Sequence, residues 1–340
     1  MMIDAFIDLL PKVELHVHLI GSASVPTVLE LSRRHPGSRV PTVEEELRDF
    51  YAFRDFPHFA EVYGAVNALV REPEDVETLV VGLAGDLAAQ NARYVELTVT
   101  PYAHHVVGMP MRAVTEALDL AARRAAAEHG VRVGYIFDIP GEYGAEAARV
   151  TLDHALQEPP RELVGFGLAG IEQKRPPYRD AFRDAFRAAT AAGLRSLPHA
   201  GEMTGPETIW EVLDGLGAER IGHGIACLDD PRLVAHLRDT QIPLEVCPTS
   251  NVCTGQVAHI KDHPLPRMLE EGLYVTLNSD DPPMFATTLS DEYRVAAEVF
   301  GLDRRALAAL ARNAVNASCL DPAGKRAILD EIDALDGAGS

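Results

Sequence analysis

Short apolar runs rich in Val, Ile and Leu alternate along this chain with longer segments whose apolar residues recur at helical spacing. The short runs predict strands over Val13–Leu19, Tyr94–Thr100, Val131–Ile139, Leu163–Leu168, Leu194–His199, Arg220–His223, Leu244–Pro248 and Tyr274–Asn278. Several end in glycine or a polar residue. Between them, Met111–His129, Arg179–Ala192, Pro206–Leu216, Pro231–Arg238 and Pro264–Glu271 have the alanine, glutamate and arginine enrichment of helices, and the tail from Asp303 reads as two more. Strand and helix in eightfold repetition are the pattern of a (β/α)8 TIM barrel, an α/β fold, here with extra C-terminal helices. A doubly wound open sheet has the same alternation. The barrel is the better expectation because the chemistry-bearing residues end strands 1, 5, 6 and 8, and a closed barrel gathers those ends around one mouth.

The first connection, from Gly21 to about Arg93, is far longer than an ordinary βα loop. It is not low in complexity: Phe50–Phe59 holds four phenylalanines in ten positions, and helical runs follow at Ala60–Val70 and Pro73–Gln90. Its place after the first strand sets it over the barrel mouth, either as helical padding or as a lid that shapes and dries a pocket. With no repeats and no linker, residues 1–340 read as a single domain with residues 21–93 inserted into it.

Charge narrows the partners. A formal charge of −20 opposes a nucleic-acid backbone or an anionic membrane, so a small soluble molecule is expected. No apolar stretch reaches a membrane span, and the start, broken by Pro11 and without a basic region, does not read as a signal peptide. Cys227, Cys247, Cys253 and Cys319 lie far apart with no CxxC spacing, which suits reduced thiols in the cytoplasm.

The strand ends supply the chemistry. His16 and His18, two apart on a strand, face the same side and can share one metal ion. His199 and Asp280, from other strand ends, would complete a nitrogen and oxygen ligand set of the kind that holds catalytic zinc. Glu202 follows His199 by three residues and can act as general acid and base. His223, between Gly222 and Gly224, could orient an attacking oxygen, and Asp281 could hydrogen-bond a ring nitrogen. Taken singly, His223 reads as a core or loop histidine and Asp281 as a helix cap before Pro282-Pro283. His35, His104, His105, His129, His154, His236, His259 and His263 read as surface histidines without a role.

In order and across nearly the whole chain, Val13–Ser22 (VELHVHLIGS), Leu168-Ala169-Gly170, His199-Ala200-Gly201-Glu202, Arg220–Gly224 (RIGHG) and Leu277–Pro282 (LNSDDP) resemble the adenosine deaminase family. The resemblance implies one zinc ion per chain on His16, His18, His199 and Asp280. It also implies that Glu202 protonates purine N1, His223 positions the oxygen that attacks C6, Asp281 binds N7 and the Gly170 backbone meets N3. Ammonia would leave and a 6-oxopurine remain.

Two departures concern the sugar end. Ile20 stands where adenosine deaminases usually have an aspartate that contacts the ribose 5′-hydroxyl, and Gly167 and Ile171 stand where acidic residues commonly flank Leu-Ala-Gly. Leu19–Ser24, Asp55–Phe59, Phe137–Glu142 and Asp280–Phe285 are similar to the aminodeoxyfutalosine deaminase branch. That branch acts on an adenine nucleoside with a carboxyphenyl-ketone arm at its 5′ carbon, on a route to menaquinone. Ile20 and Phe56 would suit such an arm, and Arg54, His58, Lys174 or Arg175 could pair with its carboxylate. The alternatives are adenosine deaminase proper, methylthioadenosine deaminase and adenine deaminase. A two-metal amidohydrolase or phosphoesterase would need a bridging carboxylate or lysine that Leu168-Ala169-Gly170 lacks, and the PCxxC signature of cytidine-type deaminases is absent.

Overall fold

The computed structural model describes residues 2–337, except for the side chain of Phe56. Eight parallel strands pair in chain order: β1 (Lys12–His18), β2 (Ala92–Val99), β3 (Arg132–Pro140), β4 (Leu163–Ala169), β5 (Arg195–Ala200), β6 (Ile221–His223), β7 (Leu244–Val246) and β8 (Val275–Leu277). Covered on both faces, they are almost continuously buried, polar residues included. The strands fall where the apolar runs predicted, but β7 and β8 are shorter. Pro248, which has no N–H to give a ladder, instead opens the helix Pro248–Cys253.

Short strands leave the seam between β8 and β1 to polar groups. His18 N–H donates to the Asp280 carbonyl (3.1 Å) and Asp280 N–H to the His16 carbonyl (2.9 Å). Leu15 N–H donates to Asn278 Oδ1 (3.1 Å) and Ser279 N–H to the Glu14 carboxylate (3.1 Å). The sheet thereby becomes the expected barrel, and the ligand-bearing strand ends meet at the seam.

The long first connection contains the helices Val25–Arg34, Glu44–Tyr51, Phe56–Asn67 and Pro73–Ala88, the first two unforeseen. The third starts before Ala60 because the Asp55 side chain caps it, accepting the His58 N–H at 2.9 Å. Phe53 and Phe59 pack against each other and against Phe285 of the loop after β8, with ring centroids 5.1–5.9 Å apart, so the insertion is fastened to the C-terminal end of the barrel strands. Further helices at Gly144–Gln157 and Leu289–Glu298 complete the outer ring, followed by Arg304–Ala317 and Pro322–Gly337. No described helix is long and apolar enough to cross a membrane.

Of the histidines expected at the surface, His35, His104, His154 and His263 are instead buried. His35 bonds Asp75 within the insertion (2.7 Å), and His154 meets the Thr115 hydroxyl (2.8 Å) while its ring lies on Phe137. For His35, His154 and His263 a polar partner meets at least one ring nitrogen inside the core, which makes burial tolerable.

Candidate active site

His16 and His18 project from the end of β1 toward Asp280 on the facing seam. His16 Nδ1 donates to the Glu245 carboxylate at 2.8 Å, leaving Nε2 with a lone pair. That Nε2 is buried, has no hydrogen-bond partner and lies 3.6 Å from Asp280 Oδ1. His18 Nε2 lies 3.2 Å from the same oxygen and 3.3 Å from His199 Nε2 at the end of β5. The Ser250 hydroxyl donates to Asp280 Oδ2 at 2.6 Å, which turns Oδ1 toward the histidines. Behind them, Arg220 pairs with both Glu245 and Glu96. Burial pushes the Glu245 carboxyl up, but Arg220 and His16 outweigh it and hold it below the usual range.

Backbone geometry bears this out. Asp280 (φ 65°) and His223 (φ 61°) occupy the left-handed region, which L-residues adopt only where the surroundings impose it. Gly222 is required by close approach, since a Cβ there would lie 2.9 Å from His16 Cε1 and 3.0 Å from His199 Cγ.

The cluster asks for positive charge at its centre. Burial lowers the His16 imidazole, yet the neighbouring carboxylates of Asp280 and Glu245 outweigh it and push His16 up to about 10. Burial takes His199 well below its ordinary value, into the neutral form that ligates metals. Converging lone pairs on His16, His18 and His199, with one carboxylate, fit a divalent cation, and His16, His223 and Asp280 form an overlapping group.

Beside this cluster, Glu202 Oε2 lies 3.6 Å from His223 Nε2. Burial, then the neighbouring Asp280 and Glu172, push the Glu202 carboxyl up to about 8, so near neutrality it has a proton to give. Asp281 is likewise raised to about 8, by burial and Asp280, and its Oδ1 is buried without a partner. Both carboxyls line a cavity of about 600 Å³, with Gly170 and Ile20 also in its wall. Phe56 is outside the described side chains, but Phe59 and Tyr63 from the same helix line the cavity.

Among the described residues lining the cavity there is no lysine or arginine. Arg54 and Lys174 are exposed away from it, and His58 Nδ1 accepts the Arg54 N–H at 3.1 Å. Arg175 is buried outside the cavity lining, and its two terminal nitrogens donate to the carbonyls of His199 (2.8 Å) and Gly170 (3.0 Å). It braces the ends of β4 and β5 and is not free to bind a substrate carboxylate.

Glu172 is an important residue that spacing did not reveal. Its buried carboxylate accepts N–H bonds from Gly201 (2.8 Å), Glu202 (3.1 Å), Met203 (2.6 Å) and Thr204 (3.2 Å). It thus holds the loop that presents Glu202. The available signal was its place two residues after Gly170, and for Glu245 a charge in the middle of an apolar strand.

The chain is similar to known proteins over nearly its whole length. The adenosine deaminase family model matches residues 11–335. An aminodeoxyfutalosine deaminase of Streptomyces avermitilis is 51% identical over 331 residues, which are 97% of this chain and 92% of that protein. The crystal structure of an adenine deaminase from Arthrobacter aurescens superposes with a TM-score of 0.90 at 32% identity, covering 97% of this chain and 99% of that one. A zinc-bound amidohydrolase from Burkholderia ambifaria gives a TM-score of 0.89 at 29% identity, covering 98% and 94%.

Proposed function

The chain belongs to the adenosine deaminase family, and from that premise we propose that it hydrolyses the 6-amino group of an adenine nucleoside extended at its 5′ carbon, 6-amino-6-deoxyfutalosine or a near relative. The reaction would serve menaquinone synthesis in the cytoplasm. His16, His18, His199 and Asp280 would hold one zinc ion, which lends Lewis acidity that makes water nucleophilic near neutral pH.

The protein residues then have distinct tasks. Glu202 in its acid form donates to purine N1, which makes C6 electrophilic. Water oxygen bonds to C6 and the C6–N bond breaks. Of the two water protons, one ends on the departing nitrogen to give ammonia and the other on the ring nitrogen of the 6-oxopurine, with Glu202 as the carrier between them. Asp281, protonated and with an unpartnered oxygen, donates to N7. The Gly170 backbone abuts N3, and His223 orients the oxygen. The insertion, through Phe59 and Tyr63, would act as the lid that keeps bulk water out.

One observation supports the 5′-extended substrate: the cavity lined by the buried Ile20 also takes in Tyr102, Val106, Val107 and Tyr143. Val106, Val107 and Tyr143 are more than half exposed, and Tyr102 and Tyr143 stack with centroids 5.4 Å apart. An aryl arm would cover this apolar wall. With no cation in the described lining, its carboxylate would remain in solvent at the mouth.

The test is ammonia release by zinc-loaded protein from adenosine, adenine, methylthioadenosine and aminodeoxyfutalosine in parallel. A large preference for the last is expected. A preference for adenosine or adenine would sink the 5′-arm reading while leaving the deaminase intact. Ile20→Asp is expected to move the ratio of kcat/KM values toward adenosine by about tenfold or more, since it offers an acceptor to the 5′-hydroxyl and a desolvated charge to the arm.

A further inference from the structure

His223 turns one nitrogen to the reaction space and the other to a buried chain of polar side chains. His223 Nδ1 lies 3.3 Å from Asn251 Nδ2, and Asn251 Oδ1 lies 3.1 Å from His263 Nε2. His263 Nδ1 in turn lies 3.1 Å from the backbone nitrogen of Leu265. Asn251, on the helix Pro248–Cys253, is 0% exposed, His223 1% and His263 3%. These side chains are closed off from bulk solvent.

The far end sets the direction of the whole chain. A peptide N–H can only donate, so His263 Nδ1 must offer a lone pair to Leu265. Burial keeps His263 neutral near pH 7, pushing it down to about 4. Its single proton is accordingly on Nε2 and is donated to Asn251 Oδ1. The flipped amide would set an NH2 group against that N–H, donor to donor. Asn251 Nδ2 then donates to His223 Nδ1, which leaves the His223 proton on Nε2, 3.6 Å from Glu202 Oε2 and 3.8 Å from Asp280 Oδ2.

We infer that Asn251 and His263 are positioning residues that lock His223 as its Nε2–H tautomer, a hydrogen-bond donor to the oxygen that attacks C6. The inference builds on the deaminase reading of the site. With Nε2 protonated and Nδ1 occupied, His223 has no lone pair to receive a proton from water, and the proton traffic between the two falls to Glu202.

The experiment is 15N NMR of zinc-loaded enzyme labelled with 15N-histidine, the His223 signals being identified by their loss in His223→Gln. Kinetics are compared for Asn251→Leu, His263→Phe and His263→Gln, each normalised to bound zinc. The parent is expected to show His223 protonated at Nε2. Asn251→Leu and His263→Phe should lower kcat by about 10- to 100-fold with KM nearly unchanged and release His223 into a mixture of tautomers. His263→Gln, whose amide can still donate to Asn251 Oδ1, should retain both rate and tautomer. A His223 protonated at Nδ1 in the parent, or parental kcat in both Asn251→Leu and His263→Phe, would overturn the lock. If Asn251→Leu does not fold, the parent spectrum and the His263 pair decide alone. The spectrum requires no substrate, so a protein inactive on every adenine compound yet protonated at Nε2 would refute the deaminase reading and leave the lock standing.

Discussion

Glu202→Gln is expected to bind zinc as the parent does and to lose turnover by about 10²- to 10⁴-fold, the usual contribution of a positioned acid-base group. Glutamine preserves the shape of the side chain and its 3.6 Å approach to His223, but it can neither give a proton to N1 nor carry one to the leaving nitrogen. None of the clustered metal-binding atoms belongs to Glu202, so metal content should hold. Zinc analysis and single-turnover ammonia release on the same preparation make the comparison. Near-parental kcat with full zinc would remove Glu202 from the chemistry. Loss of zinc along with activity would place Glu202 among the ligands.

The parts of this site that lie close in sequence were readable in it, and those that depend on distant partners were not. Alternating apolar runs with polar ends marked every strand of the barrel, and His16 with His18 showed the strand periodicity that puts two imidazoles on one side. His199 and Glu202 were equally local. Glu245, 229 positions from the His16 it orients, has no spacing relative to it that a pattern could register. The buried histidines were misjudged for a related reason. His154 continues the inward face of Ala147, Val150 and Thr151 on its helix, yet the type of residue suggested solvent. The helices Val25–Arg34 and Glu44–Tyr51 were lost in the long first connection because short amphipathic segments take much of their stability from what they pack on.

Two buried networks outside the cavity lining emerge from the structure, one behind each of the two side chains proposed to act on the substrate. Asn251 and His263 set the proton on His223. Glu172 sets the backbone under Glu202. The proposed metal ligands are instead fastened by Glu245, Ser250 and the strand seam. The same ligand cluster could therefore persist while the acid-base machinery is disabled from behind.

Glu172→Ala is the sharpest case. It would strip the carboxylate from four consecutive N–H groups, Gly201 to Thr204, and leave the buried Arg175 without the acidic neighbour 3.8 Å away. Unsatisfied buried donors cost about 1–3 kcal/mol each, and partial relief by the Thr208 hydroxyl, 3.1 Å from Gly201 N, brings the expected loss of folding stability to roughly 3 kcal/mol. A displacement of about 1 Å in a reacting group can cost about 10²-fold in rate, so kcat should fall by a comparable factor even where the protein is fully folded. Glu172→Gln should be much milder. Its carbonyl oxygen can take the place of Oε2, which serves Glu202, Met203 and Thr204, so that only the Gly201 N–H loses its carboxylate acceptor, and that N–H keeps the Thr208 hydroxyl at 3.1 Å. Thermal unfolding and kcat at a temperature where each variant is folded would check both. Because Glu172 acts on the chemistry through Glu202, adding Glu172→Ala to Glu202→Gln should lower turnover little further. Full additivity in that double variant would mean that Glu172 supports the reaction by some route other than the loop, and parental melting and kcat in Glu172→Ala would end its role as the anchor.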